Sequence, residues 1–256
     1  MYTCYVLANE RIGANSGIGY ATSKVIASAS KDFHVIMAAR SLEKVSLAKS
    51  EIEASGILGQ LSTVQLDITE QASIDKAVAF IEEAFGHLDV LVSNAGIGGV
   101  YHPDLRARLQ AVMDINVVGT AVAGAAFRPL LLKSPKPYSI YVSSGLGSMT
   151  LATDPTFPLH KGMPGGEAYR ASKSALDMIV LQEHYDFSET TALKTFAFCP
   201  GLVRSNLRGT SEAAVSAGGA AGDPANSGKG ILAIIQGEKD AHVGKFVNSQ
   251  GGVHGW

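Results

Sequence analysis

Residues 5–24 read YVLANERIGANSGIGYATSK. Gly13, Gly17 and Gly19 fall in the spacing G-x-x-x-G-x-G, and the residues that follow, from Tyr20 on, can run as a helix. Glycines let a backbone approach a pyrophosphate closely, and the free N–H groups and dipole at a helix start favour negative charge. On this pattern Gly13, Asn15, Ser16, Gly17, Ile18 and Gly19 are expected to cradle a nucleotide phosphate. The spacing alone is a weak signal, because a glycine-rich turn without a ligand reads the same way. The residues leading into it are also unusual: Asn9, Glu10, Arg11 and Ile12 stand where a buried apolar strand normally runs. Burying Glu10 and Arg11 without partners is costly, so a short strand over Cys4–Ala8 with an added bend at Asn9–Ile12 is expected.

Outward from this stretch, short apolar or β-branched runs alternate with longer segments of helical period. FHVIMAA (33–39), LSTVQL (61–66), LDVLVSN (88–94), YSIYVSS (138–144) and KTFAFC (194–199) read as strands buried on both faces. Between them, SIDKAVAFIEEAF (73–85) places Ile74, Ala77, Val78, Ile81 and Phe85 on one helix face. Strand and helix in repeated alternation imply parallel crossovers, hence a single-domain α/β fold over 1–256: a Rossmann-type doubly wound, mostly parallel sheet with helices on both faces. Two irregular stretches interrupt the pattern. Residues 145–168, with several Gly and Pro and no sustained period, are expected to form an extended loop. Residues 209–228 are rich in small residues and are expected to belong to a mobile substrate loop over 202–228.

The bulk composition narrows the function classes. A chain of 256 residues, 46% hydrophobic and 17% charged, is long enough for a well-buried core. A net charge of −2 gives no reason to expect a nucleic-acid partner. Cys4 and Cys199 suit no metal-ligand spacing or disulfide framework, so no metal is expected and a reducing compartment fits best. The longest apolar run, VVGTAVAGAAFRPLLL (117–132), is broken by Arg128 and Pro129, and the N-terminus lacks the pattern of a secretory signal. No membrane partner is expected, and the cytoplasm is the default location.

Candidate ligand contacts recur at strand ends. Arg40 follows the second strand about 20 residues after the glycines, where a dinucleotide fold meets the adenosine ribose. With neutral Ala39 beside it, Arg40 can pair a 2′-phosphate through its planar fork, which favours NADP(H) over NAD(H); an ordinary solvated arginine is the alternative. Asp67, in Leu66-Asp67-Ile68, can accept from an adenine amino group or simply start a loop. In SNAGIGG (93–99), Asn94 can fix neighbouring backbone and Gly96 can let a cofactor approach. Their shared place, along one rim of the sheet, is where open α/β sheets bind ligands.

Tyr169 and Lys173 are four apart at the start of a helical pattern, so phenol and ammonium share a face one turn apart. A nearby cation favours phenolate and lowers the tyrosine pKa toward working pH, equipping it to exchange a proton with a carbonyl or alcohol oxygen. Ser143 and Ser144 end a central strand, where a hydroxyl can hold a substrate oxygen or bond its own loop. Asn116, in MDINVVGTAV, is either functional or a packed hydrogen bonder.

GANSGIG, AAR, LDI, SNAG, NVVG, VSS, YRASK and PGLVRS occur in this order, and together they resemble the short-chain dehydrogenase/reductase family, in its carbonyl or keto reductase form, across nearly the whole chain. The resemblance implies that Tyr169 donates the proton and that Lys173 lowers its pKa and holds the nicotinamide ribose. It implies that Ser144 orients the substrate carbonyl and Asn116 anchors a water relay from Lys173. Pro200, Gly201, Val203 and Ser205 would meet the nicotinamide end, and Ile68, Asn94 and Gly96 the rest of the cofactor. Three departures stand out: Ile12 replaces the usual threonine, Ser16 replaces a frequent basic residue, and the separation of Ser144 from Tyr169 exceeds the usual one. The added residues bring Met149, Leu151, Phe157, Leu159 and Met163, which can wall a substrate pocket or pack on the surface.

The expected function is an NADPH-dependent reductase of a ketone or aldehyde on a fairly apolar small molecule, with the alcohol as the partner of the reverse reaction. The alternative is a catalytically impaired NADP(H)-binding sensor or scaffold. The resemblance leaves a homodimer or homotetramer open.

Overall fold

The computed structural model describes residues 3–8, 17–99, 103–162 and 165–256. Eight strands form one sheet: β1 Thr3–Ala8, β2 Phe33–Ala39, β3 Gln60–Gln65, β4 Val90–Ser93, β5 Tyr138–Val142, β6 Lys194–Cys199, β7 Phe246–Asn248 and β8 Val253–His254. Their order is β3-β2-β1-β4-β5-β6-β7-β8, parallel except for the antiparallel β7–β8 pair. The order reverses direction between β1 and β4, whose register pairs Tyr5 with Val90. Connections leave this point toward opposite sides, which opens a crevice above the carboxyl ends of the two strands.

Helices cover both faces: α1 Gly17–Ala29, α2 Leu42–Ala54, α3 Gln71–Phe85, α4 Leu105–Met113, α5 Thr120–Leu131, α6 Met149–Thr153, α7 Glu167–Phe187, α8 Glu212–Val215 and α9 Ala225–Ile235. The pleat of β2 makes the two layers explicit. Val35, Met37 and Ala39 point into a core with Ile26, Val45, Ile52 and Ile231 of α1, α2 and α9. Ile36 and Ala38 point into the opposite core with Ile74, Ala77 and Ile81 of α3 and Phe127 of α5. The apolar stripe expected on 73–85 is therefore the packed one, with Val78 and Phe85 at its margin. A third cluster seats Leu176 and Val180 of α7 on Tyr141, Ala197 and Cys199.

Strand β1 reaches Ala8, in keeping with the short strand expected there, while the bend at Asn9–Ile12 lies outside the described residues. Strands β7 and β8 were not anticipated, since three and two residues are too short to carry a period. The stretch 145–168 is not all loop. Gly145–Gly147 forms a 3-10 turn, and α6 forms because the Ser148 hydroxyl accepts from Leu151 N at 3.0 Å. The 202–228 segment, expected to be a mobile loop, also carries regular structure. It holds a 3-10 turn at Asn206–Arg208, then α8, and it runs into α9, where Ser227 and Gly228 are buried and the helix packs on α1.

Arg128 and Pro129 do not interrupt their helix. A π turn at Asp114–Gly119 joins α4 to α5, giving a helical run of 27 residues, Leu105–Leu131, that is apolar and long enough to cross a membrane by composition. Here Ala123, Phe127, Leu130 and Leu131 pack in the core instead, and Arg128 is paired with Glu183.

Candidate active site

Above the β1–β4 reversal, the carboxyl ends of β4, β5 and β6 and the first turn of α7 enclose a cleft. Ser144, Tyr169 and Lys173 line it together with Ile18, Asn94 and Gly96, and Pro200, Gly201, Val203 and Ser205 close its far bank. These expected contacts are thus brought to one place although they come from five separate segments of the chain. Gly17 begins α1 with φ 57°, and Gly19 is buried two residues on, within the first turn. Gly13, Asn15 and Ser16 lie outside the described residues.

Helix α7 fixes the tyrosine and the lysine. Its start is clamped from outside by Arg108, which donates through Nε and Nη2 to Glu167 Oε1 at 3.2 and 2.6 Å. Lys173 is 4% exposed and donates to the Val142 carbonyl at 2.8 Å, placing Nζ 5.8 Å from the Tyr169 ring centre. Burial lowers the ammonium to about 8, opposed by the charges of Asp177 and Cys199. Burial also pushes the Tyr169 phenol up to about 12, whereas a hydrogen bond with Ser144 and the cation of Arg208 pull it down. The expected lowering of this phenol by Lys173 is not found; desolvation outweighs the favourable charges.

Ser144 bonds its own loop and also lines the cleft. Its oxygen accepts from Leu146 N at 3.3 Å, which caps the 3-10 turn, and its hydroxyl also faces the Tyr169 phenol, whose pKa it lowers. Ser143 is buried with its hydroxyl unpartnered. Asn116 sits in the π turn and is fully buried. Its Oδ1 accepts from Ile97 N at 2.8 Å, and its Nδ2 donates to Ile97 O and Ser172 Oγ, both at 3.0 Å. Both amide hydrogens are committed, so a water could meet the side chain only at the remaining lone pair of Oδ1. A Cβ on Gly96 would stand 3.3 Å from that oxygen and 3.6 Å from Lys173 Nζ, so the glycine keeps this polar pair close to the cleft.

The remaining expected contacts lie along the rim away from the tyrosine. Arg40 is exposed just past β2. Asp67 follows β3 and spends Oδ1 on Thr69 N and Oγ1, as a loop-starting aspartate does, while Ile68 is buried. Of the apolar residues in 145–168, the described ones do not line the cleft; Met149 is 69% exposed, and Leu151 abuts Gly145. Met163 lies outside the described residues.

Sequence reasoning missed several residues. Ser172 links Asn116 to the Tyr169 carbonyl, at 2.7 Å from the latter. Asp177 extends the Tyr169–Lys173 face of α7 by a further turn and is buried with neither carboxylate oxygen hydrogen-bonded. Its acidic residue within the apolar sequence SALDMIV was the available signal. Leu207 and Arg208 enter the cleft from the 3-10 turn after β6, and the Leu207 carbonyl lies against Gly98.

A model of the short chain dehydrogenases matches residues 11–216. The chain belongs to the short-chain dehydrogenase/reductase family. It is 30% identical to the short-chain dehydrogenase/reductase tropE of Talaromyces stipitatus, covering 94% of either chain. To the short-chain dehydrogenase anuI of Penicillium roqueforti it is 37% identical, covering 77% of this chain and 79% of the other. The NADPH-bound carbonyl reductase from chicken fatty liver has the same fold, with a TM-score of 0.79 over 100% of both chains at 24% identity. As a short-chain dehydrogenase/reductase the protein is an oxidoreductase of small molecules that uses a nicotinamide cofactor. Gly17 and Gly19 in the first turn of α1 and the cleft from Ile18 to Tyr169 suit the nicotinamide half of such a cofactor.

Proposed function

We propose that this protein is an NADPH-dependent reductase of the ketone or aldehyde carbonyl of a fairly apolar small molecule. The convergence of Ser144, Tyr169 and Lys173 in one cleft carries this reading, and the carbonyl reductase of like fold supports it. When bound, the cofactor supplies the hydride.

The protein's residues supply the proton and the placement. Burial keeps the Tyr169 phenol protonated at neutral pH, so it enters the reaction as a donor and gives up its proton as the carbonyl oxygen gains charge. The Ser144 hydroxyl, already beside the phenol, turns its hydrogen to the same carbonyl oxygen when substrate enters. Lys173, anchored on the Val142 carbonyl, is mostly charged at neutral pH and stabilises the phenolate that remains. Asn116 braces the backbone at Ile97 and, through Ser172, the first turn of α7, which fixes the tyrosine's height in the cleft.

Tyr169→Phe is expected to lower kcat/KM for carbonyl reduction by about 10²-fold or more while NADPH binding, read by fluorescence, persists. Comparable turnover in that variant would overturn the assignment. NADPH binding by the unaltered protein without oxidation over a broad carbonyl panel would favour the sensor or scaffold alternative. The cofactor preference is proposed from Arg40: Arg40→Ala is expected to weaken NADPH binding by about 1–3 kcal/mol and NADH binding much less. Equal losses for the two cofactors would show that Arg40 does not read the 2′-phosphate.

A further inference from the structure

The reductase reading leaves the guanidinium of Arg208 without a task. Arg208 ends the 3-10 turn Asn206–Arg208 and lines the same cleft as Tyr169. Its Nε donates to the Ala214 carbonyl at 3.0 Å, and Nη2 donates to the carbonyls of Val203 and Val215, both at 2.8 Å. A guanidinium has five N–H donors, so these three bonds leave the two on Nη1 open and hold the group in a fixed orientation. The neighbouring Arg204 is neutralised by Glu212 at 2.9 Å, but Arg208 has no acidic partner among the described residues. The described residues lining the cleft carry two cations, Lys173 and Arg208, and no carboxylate. Lys173 is engaged with Val142 beneath the tyrosine, which leaves Arg208 as the excess charge. Burial lowers its pKa, as expected for a cation drawn partly out of water without a counter-ion, and the Tyr169 phenol opposes the shift. Apolar walls flank it, in Val142, Val203 and Leu207.

We infer that Arg208 receives a carboxylate carried by the substrate, so that the preferred substrates are keto acids with an otherwise apolar body. The inference rests on the reductase reading of this cleft and narrows it. Because Nε and Nη2 are spent on the backbone, the two-pronged fork is closed and the carboxylate is met end-on by Nη1. Such a single charge-assisted contact corresponds to a preference of about tenfold to a hundredfold over a neutral analogue.

The test compares a series of aryl keto acids, such as 4-acetylbenzoate, with their methyl esters. Binding of each to the NADP⁺-loaded protein is measured by calorimetry, alongside kcat and KM with NADPH. The acids are expected to bind at least about tenfold tighter than the esters, with the difference lying in KM and shrinking as salt is raised. Arg208→Met should abolish the preference and Arg208→Lys should retain part of it. Since Arg208 also ties backbone, each variant's NADP⁺ affinity and thermal midpoint are measured. If Arg208→Met fails to fold, the salt dependence of the acid-to-ester ratio in the unaltered protein decides. Equal binding of acid and ester, binding of neither, or a preference that survives Arg208→Met overturns the inference. Tighter binding of the acids with no reduction of any pair would instead leave the anion site standing and sink the reductase reading.

Discussion

Asp177 illustrates how much chemistry one side chain can hold without touching substrate. It follows Tyr169 and Lys173 on the same face of α7, 4% exposed, with both oxygens unpartnered and the unpartnered Ser143 hydroxyl facing it without closing a hydrogen bond of ordinary geometry. Burial raises its pKa to about 7, while Ser143 and the charge of Lys173 hold it below what burial alone would give. An acid whose folded pKa is raised binds its proton more tightly in the fold than in the open chain. The resulting penalty is absent below the ordinary value near 3.8, grows as pH rises, and is complete above about 7. Asp177→Asn is therefore expected to be more stable than the unaltered protein at pH 8, by about 1–4 kcal/mol, with the gap closing as pH falls toward 4. Urea titrations across that range would show it, and a gap independent of pH would refute the shift. The same substitution removes the negative charge that holds Lys173 up, so the lysine should lose its proton at a lower pH than about 8.

At the scale of elements, helices α5 and α7 are joined through a buried network centred on Glu183. Arg128 of α5 donates to its Oε2 through Nε and Nη2 at 3.2 and 2.7 Å, and Tyr141 of β5 donates to the same oxygen at 2.9 Å. Thr195 of β6 donates to the other carboxylate oxygen at 3.3 Å, while the guanidinium stacks 4.7 Å above Phe187. Four elements thus meet on one carboxylate. Removing Arg128, its one cationic partner among the described residues, strands a buried charge, which costs more than the pair contributes when intact. Arg128→Met is expected to destabilise the fold by about 3–5 kcal/mol in chemical denaturation, and adding Glu183→Gln should recover much of the loss. A loss under about 1 kcal/mol would mean that Glu183 is solvated or neutral without Arg128.

Across the whole molecule, what the sequence disclosed follows from how each part is held. Strands β2 and β6 coincide with the apolar runs 33–39 and 194–199 because parallel strands are buried on both faces and carry their own label. Tyr169, Lys173 and Ser144 were legible because helical spacing and strand ends fix their placement locally. The segment after Ser144 was not, because its partners are remote: Ser148 Oγ donates to the Gly255 carbonyl at 2.5 Å and Thr150 Oγ1 to that of Trp256 at 2.7 Å. Arg208 was hidden for the same reason, since only the folded turn brings the carbonyls of Val203 and Val215 to one guanidinium. The Tyr169 pKa was misjudged because neighbours in sequence are visible in advance, whereas the depth of burial is not.

A small contact on the cleft's rim bears on the tempo of the reaction. Gly98, beyond β4, and Leu207, beyond β6, lie on opposite banks, and a Cβ on Gly98 would stand only 2.5 Å from the Leu207 carbonyl oxygen. The two segments can touch there because residue 98 has no side chain, and the contact forms a clasp beside the cleft that Leu207 and Tyr169 line. A dinucleotide or product that left past this contact would have to part it, and its departure would then be a motion of the chain through solvent. Turnover paced by that motion would slow in proportion to solvent viscosity and would be indifferent to deuterium in the transferred hydride.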